Sequence, residues 1–169
     1  MADTAAQAFK PGGHDHALCI DDAVAAAQRI CDERGLRFTP LRRRVLEIVW
    51  EQHNPVGAYE ILDRLRSERG RAAPPTVYRA LDFLLECGLV HRIHSLNAFI
   101  GCPDPQAAHS GQFLICRGCR TVGELGDREI EGMVAGRAGA LGFSVEGQTI
   151  ELLGLCPSCR DGGDSQDAA

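Results

Sequence analysis

Between positions 91 and 124 runs a dense series of metal-ligand types that includes His91, Cys102, His109, Cys116, Cys119 and Glu124. Cys116-Arg-Gly-Cys119 has the two-residue gap that lets both thiolates grip one tetrahedral ion, and Cys156-Pro-Ser-Cys159 repeats that gap further on. Two such pairs complete a four-thiolate zinc site. Buried free thiols are the plain alternative, but they have no reason to fall twice into the same spacing. Four thiolates also suit an iron–sulfur cluster, although two knuckles that each follow a strand fit a zinc ribbon better. A site filled entirely by protein ligands binds tightly and holds the fold together rather than regulating it.

The leftover set, His91, Cys102, His109 and Glu124, has no short regular motif. Singly each has an ordinary reading: a strand-surface histidine, a small hydrophobe, a loop residue, a solvated acid. Jointly they lie at the end of a hairpin, in a linker and beside the first cysteine pair, so one ion could gather them and set the angle between the two halves of the chain. Histidine and cysteine select zinc over harder cations, while a single thiolate with a carboxylate makes a looser site than four thiolates. His14, His16 and Cys19 read as parts of a solvated arm, and His53, His94, Cys31 and Cys87 as surface or core residues without partners at ligand spacing.

The elements that must position these residues follow from periodicity. Residues 1–20 lack a pattern and predict a flexible arm. Asp21 and Asp22 can cap a helix burying Val24, Ala27, Ile30 and Cys31, which Gly35 ends. Thr39-Pro40 starts the next, with Val45, Leu46, Val49 and Trp50 as its buried stripe and Arg42, Arg43 and Arg44 starting from the other side. A third helix spans about 58–69, burying Ile61, Leu62 and Leu65. After the rigid turn Ala73-Pro74-Pro75, a fourth runs from Thr76 to Cys87, closed by Gly88. Residues 89–94 and 99–102 alternate as two strands of a wing. Residues 21–102 thus read as a winged helix-turn-helix domain, 103–106 as a Pro-containing hinge, 107–160 as a small zinc-stapled α/β dimerisation domain, and 161–169 as a disordered tail. In that second domain Asp127 caps a helix with Ile130, Met133, Val134 and Leu141 on one face, and 143–153 reads as a strand. The fold class is α+β.

Charge agrees with this division. The formal net charge is −5, but residues 29–79 carry eleven Arg against seven acids, whereas residues 80–169 carry six Arg against twelve acids. A basic module joined to an acidic one can still neutralise phosphates locally, because a Debye length of about 8 Å hides the distant acids. No apolar run approaches the length of a membrane span, and residues 1–20 hold acids and histidines where a secretion signal needs a basic and then an apolar segment. The expected location is the cytoplasm, where eight cysteines stay reduced and serve metals before disulfides.

Arg37-Phe-Thr-Pro-Leu-Arg42, Pro75-Thr-Val-Tyr-Arg-Ala-Leu81, His91, His109 and the two cysteine pairs, taken in order, resemble the ferric uptake regulator family of metal-sensing repressors over about residues 21–160. Within it, Pro74-Pro75-Thr-Val-Tyr-Arg-Ala-Leu-Asp-Phe-Leu-Leu85 and Cys102 look most like the zinc uptake regulator branch. Iron-sensing members usually carry a His-rich run before the first cysteine pair, and Ala107-Ala-His109-Ser-Gly keeps one histidine only. The resemblance implies a homodimer formed through the C-terminal halves and two Zn2+ per chain, a structural ion on Cys116, Cys119, Cys156 and Cys159 and a regulatory ion on His91, Cys102, His109 and Glu124. It further implies that the fourth helix enters the major groove of double-stranded operator DNA. Tyr78 and Arg79 then fall at its base-facing end, with Tyr59 as a further contact and Arg42, Arg43 and Arg44 as phosphate contacts.

The expected function is a zinc-responsive repressor of zinc uptake genes, with neither membrane nor small organic substrate as partner. An iron-, manganese- or peroxide-sensing repressor would share the fold but prefer a harder ligand set than one containing Cys102. A zinc hydrolase would need an open coordination position beside a general base, and no such motif is present. A thiol oxidoreductase could use the cysteine pairs only if they did not partner one another.

Overall fold

The computed structural model describes residues 16–52, 54–70, 72–106 and 111–161, and these divide into two units with the break after residue 107. The first unit begins with α1 (His16–Glu33), which buries Ala27, Ile30 and Cys31; Gly35, at φ +63°, ends it. The helix starts before Asp21 and Asp22, not at them. Ala17 to Ile20 contain nothing that stops a helix, so both acids sit inside it instead of capping it. The rest of the expected arm, residues 1–15, lies outside the described residues, as do His14, His53, His109 and the tail from 162 onward.

In α2 (Pro40–Trp50), the hydroxyl of Thr39 accepts the Arg42 N–H and Pro40 fills the first turn, where its missing N–H costs nothing. Its buried stripe is Val45, Leu46, Ile48 and Val49. A two-residue strand β1 (Val56–Gly57) leads into α3 (Ala58–Arg69), which Gly70 ends at φ +71° by returning its N–H to the Arg66 carbonyl. The fourth helix, α4 (Pro74–Glu86), starts two residues earlier than the sequence pattern suggests: Pro74 and Pro75 form its first turn, not the connection before it.

The wing consists of β2 (Val90–Ile93) and β3 (Ala98–Gly101), joined through a short 3₁₀ turn (His94–Leu96) and Asn97 at φ 47°. Strand β1 adds to its edge, giving the antiparallel order β1-β3-β2. Two residues are too few to show alternation, and β1 was not legible in advance. Leu46, Ile48, Ile61, Leu65, Leu81 and Leu84 form the middle of the core, all almost fully buried.

The second unit is built on a sheet of order β5-β4-β6. Strand β4 (Gly111–Cys116) pairs antiparallel with β5 (Val122–Glu124) and parallel with β6 (Thr149–Gly154), and α5 (Arg128–Ala140) lies on the crossover between β5 and β6. Asp127 caps α5, its carboxylate accepting from the N–H groups of Glu129 and Ile130. The predicted strand over 143–153 is shorter than expected: among the described residues β6 pairs with β4 from Gly111 with Thr149 through Cys116 with Gly154. Residues 143–148 have no partner strand among the described residues, and Gly147 interrupts their pattern. The helical stripe is present but uncovered: α5 buries no residue, Met133 is 65% and Leu141 88% exposed, and Phe143, Leu152, Leu153 and Leu155 are exposed with them. Among the described residues no helix is long and apolar enough to cross a membrane. A short α6 (Pro157–Asp161) closes the unit.

Candidate metal centre and nucleic-acid interface

The strand ends and turns of the second unit bring Cys116, Cys119, Cys156 and Cys159 together, their sulfurs all within 4.8 Å of one another. Cys116 is the last residue of β4, and the turn that follows brings Cys119 back: Arg120 N–H donates to the Cys116 carbonyl, and Arg120 takes φ 63°. The second pair leaves the end of β6, where Arg117 N–H donates to the Gly154 carbonyl at 2.8 Å and couples the two knuckles. A zinc–sulfur bond of about 2.3 Å sets the sulfur–sulfur edge of a tetrahedron at about 3.8 Å. Cys119 and Cys156 sulfurs stand 3.7 Å apart. The cage therefore has the size and donor chemistry of a four-thiolate zinc site.

Backbone polarity favours thiolate at its centre. Burial alone would push the Cys116 thiol up, but N–H groups of Cys119 and Cys156 aimed at its sulfur bring it down to about 6. Thr121 lowers Cys119 by hydrogen bonding. Cys159 moves the other way, to about 12, because its hydrogen bonds to Cys156 and Cys116 favour the protonated thiol beside neighbouring negative charge. Four sulfurs cannot all be anionic this close without a cation. Gly118 also belongs to the site: a Cβ there would stand 2.9 Å from the Cys159 sulfur, so a larger residue at the second spacer position of the first pair displaces a ligand. A small residue inside the Cys-X-X-Cys gap was the available signal.

Of the leftover set, His91 and Cys102 belong to the first unit and bring ligand atoms within 4.8 Å of each other. His91 lies on β2 opposite Ile100, while Cys102 follows β3 and returns its N–H to the Leu89 carbonyl at 3.0 Å. The ring of Trp50, the chain's single tryptophan, lies over the preceding Gly101, where a Cβ would come within 2.2 Å of it. Cys102 is nearly fully buried. Glu124 belongs to the second unit, as the last residue of β5, paired with Phe113. Cys31 and Cys87 are core thiols, both buried and both raised by burial, and His94 is exposed.

In α4, burial of Val77, Ala80, Leu81 and Leu84 turns Pro75, Thr76, Tyr78 and Arg79 outward near the helix N-terminus. Tyr78 is 42% exposed, and Tyr59, near the start of α3, is 70% exposed. The three consecutive arginines do not behave alike. Arg44 reaches Glu47, Glu51 and Glu68, tying α2 to α3, and Arg64 extends the network through Glu51 and Glu60. Those hydrogen bonds, that to Glu68 first, raise the Arg44 pKa. Arg42 stacks over the Phe83 ring at 3.5 Å and donates to the Arg37 carbonyl. Only Arg43 stays largely exposed, paired with Glu47 at 2.9 Å. A row of charges in sequence does not reveal which ones the fold has already paired.

Residues 33–153 match the profile of the ferric uptake regulator family. The chain belongs to this family. A zinc uptake regulation protein of Escherichia coli (strain K12) is 40% identical over 139 residues, covering 82% of this chain and 81% of that one. Two solved structures are similar over most of the chain. Holo XcZur is 48% identical, with a TM-score of 0.78, covering 83% of this chain and 99% of that one. A zinc uptake regulator complexed with zinc and DNA is 38% identical, with a TM-score of 0.81 and coverage of 85% and 97%. The likeness falls within the zinc uptake regulators of the ferric uptake regulator family, and it spans both the helix-turn-helix unit and the four-cysteine unit.

Proposed function

We propose that this protein is a zinc-responsive transcriptional repressor that binds operator DNA as a homodimer and silences zinc uptake genes when zinc is plentiful. The observation that carries the reading is a cage of zinc-site dimensions joined to a helix-turn-helix unit, in a chain that resembles a zinc uptake regulator complexed with zinc and DNA over 85% of its length. Its place of action is the cytoplasm.

Each chain takes two Zn2+. Cys116, Cys119, Cys156 and Cys159 hold the structural ion. His91, Cys102, His109 and Glu124 are the ligands of the regulatory one; His91 and Cys102 already present their donor atoms together, and a mixed nitrogen, sulfur and oxygen set suits zinc that must come and go. Because these four ligands are drawn from both sides of the hinge at 103–106, an ion bound by all of them restricts how the DNA-binding domain (21–102) turns against the dimerisation domain (107–160). A roughly 10⁴-fold preference of zinc for the DNA-competent arrangement, about 5.5 kcal/mol, would make a near-complete switch.

In the DNA-bound dimer α4 enters the major groove. Arg79 reads a purine edge, worth about 1–3 kcal/mol for a good contact, Tyr78 and Tyr59 flank it, and Arg43 supplies salt-sensitive phosphate binding. Arg42 and Arg44 serve chiefly to shape the unit that presents them. The exposed face of Met133, Leu141, Phe143 and Leu153 belongs to the dimer contact, since apolar area of that kind is normally covered.

The test is a titration of operator-type DNA binding against buffered free zinc, with parallel iron and manganese titrations and a count of zinc per chain. Binding should switch on with the second zinc equivalent, at free concentrations where iron and manganese do nothing. Cys102→Ser should keep one zinc and lose the switch; unchanged zinc-dependent binding by that variant would refute the regulatory site.

A further inference from the structure

Gln112 is the only buried polar residue among the described ones, 2% exposed in the middle of the second unit's sheet. Its side-chain amide closes a two-way clamp on the backbone of Asp127: Nε2 donates to the Asp127 carbonyl at 2.7 Å, and the Asp127 N–H donates to Oε1 at 3.2 Å. Its backbone carbonyl also accepts the Leu125 N–H at 2.8 Å. Regular pairing of β5 with β4 stops at Glu124, opposite Phe113, and the chain then turns away through Gly126 at φ +53°. The Gln112 amide takes over where backbone pairing ends, acting as one more rung of the ladder past the turn.

We infer that Gln112 is a positioning residue for Glu124, holding the three-residue strand that carries this carboxylate so that it is presented to zinc in a fixed place. The inference rests on the reading of Glu124 as a regulatory ligand. Glu124 closes a very short strand, and strand ends fray unless something beyond them is tied down. The Gln112 clamp ties down the third residue beyond Glu124, and Asp127 in turn caps α5. Ligands held rigidly by groups behind them bind metal more tightly, and losing such support typically weakens binding by about 10–100-fold. A buried amide with both ends satisfied is also not there by default, since apolar residues fill such positions at lower desolvation cost.

The experiment uses the full-length protein and Zn2+ as probe, with chelator competition resolving the two zinc equivalents. Gln112→Met keeps the length of the side chain and loses both hydrogen bonds; Gln112→Glu keeps an acceptor for the Asp127 N–H. Amide hydrogen exchange at 125–127 reports the clamp itself. The expected result is faster exchange there, a second equivalent weakened about 10–100-fold by Gln112→Met and less by Gln112→Glu, the first equivalent retained, and DNA binding restored at saturating zinc. Faster exchange with an unchanged second equivalent would overturn the inference, leaving the clamp a matter of stability alone. Loss of the first equivalent in both variants would overturn it too, because Gln112 would then serve the whole unit. Glu124→Gln separates the two levels: if it leaves the second equivalent untouched, the ligand reading fails; if it weakens that equivalent and Gln112→Met does not, only the positioning role fails.

Discussion

Gly118→Ala adds one methyl group inside the first cysteine knuckle and should weaken the four-thiolate site without removing a ligand. The new Cβ would lie 2.9 Å from the Cys159 sulfur, 3.1 Å from its Cβ and 3.5 Å from Leu155 Cδ2. Ordinary contact between such atoms begins near 3.5–4 Å, so Cys159 must retreat by roughly 0.5 Å or more. Zinc–sulfur distances tolerate deviations of about 0.2 Å, and the retreat therefore falls on the coordination sphere, not on a pliable side chain. Overpacking of this kind costs about 1–3 kcal/mol, which at about 1.4 kcal/mol per decade is roughly a 5–150-fold loss of zinc affinity. The assay is chelator competition for the first zinc equivalent, read beside the thermal unfolding midpoint. Gly154→Ala is the control, because a Cβ there meets nothing within 4 Å. A Gly118→Ala protein that resists chelator as the parent does would refute the geometry of the cage, and equal losses in both variants would show that strand-end glycines in general, not the Cys159 contact, set the affinity.

Three other perturbations separate roles that adjacent residues could be thought to share. Arg44→Ala leaves Glu47, Glu51 and Glu68 facing one another and should lower the stability of the first unit by about 1–2 kcal/mol, discounted for partial exposure, as measured by urea unfolding; Arg43→Ala should leave unfolding unchanged and reduce the salt dependence of DNA binding. Gly101→Ala drives a methyl group into the Trp50 ring beside Cys102, so Trp50 fluorescence should shift and the second zinc equivalent weaken while the first is kept. Met133→Glu with Leu153→Asp places charge on the exposed apolar face, and sedimentation should find monomers at concentrations where the parent is dimeric, with zinc still retained by the four cysteines.

Much of this was legible because the decisive signals are local. Thr39-Pro40, Gly70 and Asp127 act through their own backbone neighbours, and each does in the structure what its type and position imply. The cysteine pairs are legible for the same reason: a Cys-X-X-Cys gap is a geometric statement about one turn, and repeating it makes a site. What could not be read depends on partners distant in sequence. Strand β1 exists only because β3 offers it an edge, β6 spans the residues that pair with β4 among the described ones, and Arg44 is drawn into the fold by Glu68, twenty-four positions away. The same reasoning explains why α5 is legible as an element while what covers its apolar face is not. Its periodicity places Ile130, Met133, Val134 and Leu141 on one face, and among the described residues Met133, Val134 and Leu141 stay exposed. Periodicity records that an apolar face is to be covered, not by which molecule. Under the proposed function, in which a dimer binds the operator, the stripe is legible as a stripe from sequence, and only the exposed surface of the folded chain turns it into an argument for a second copy.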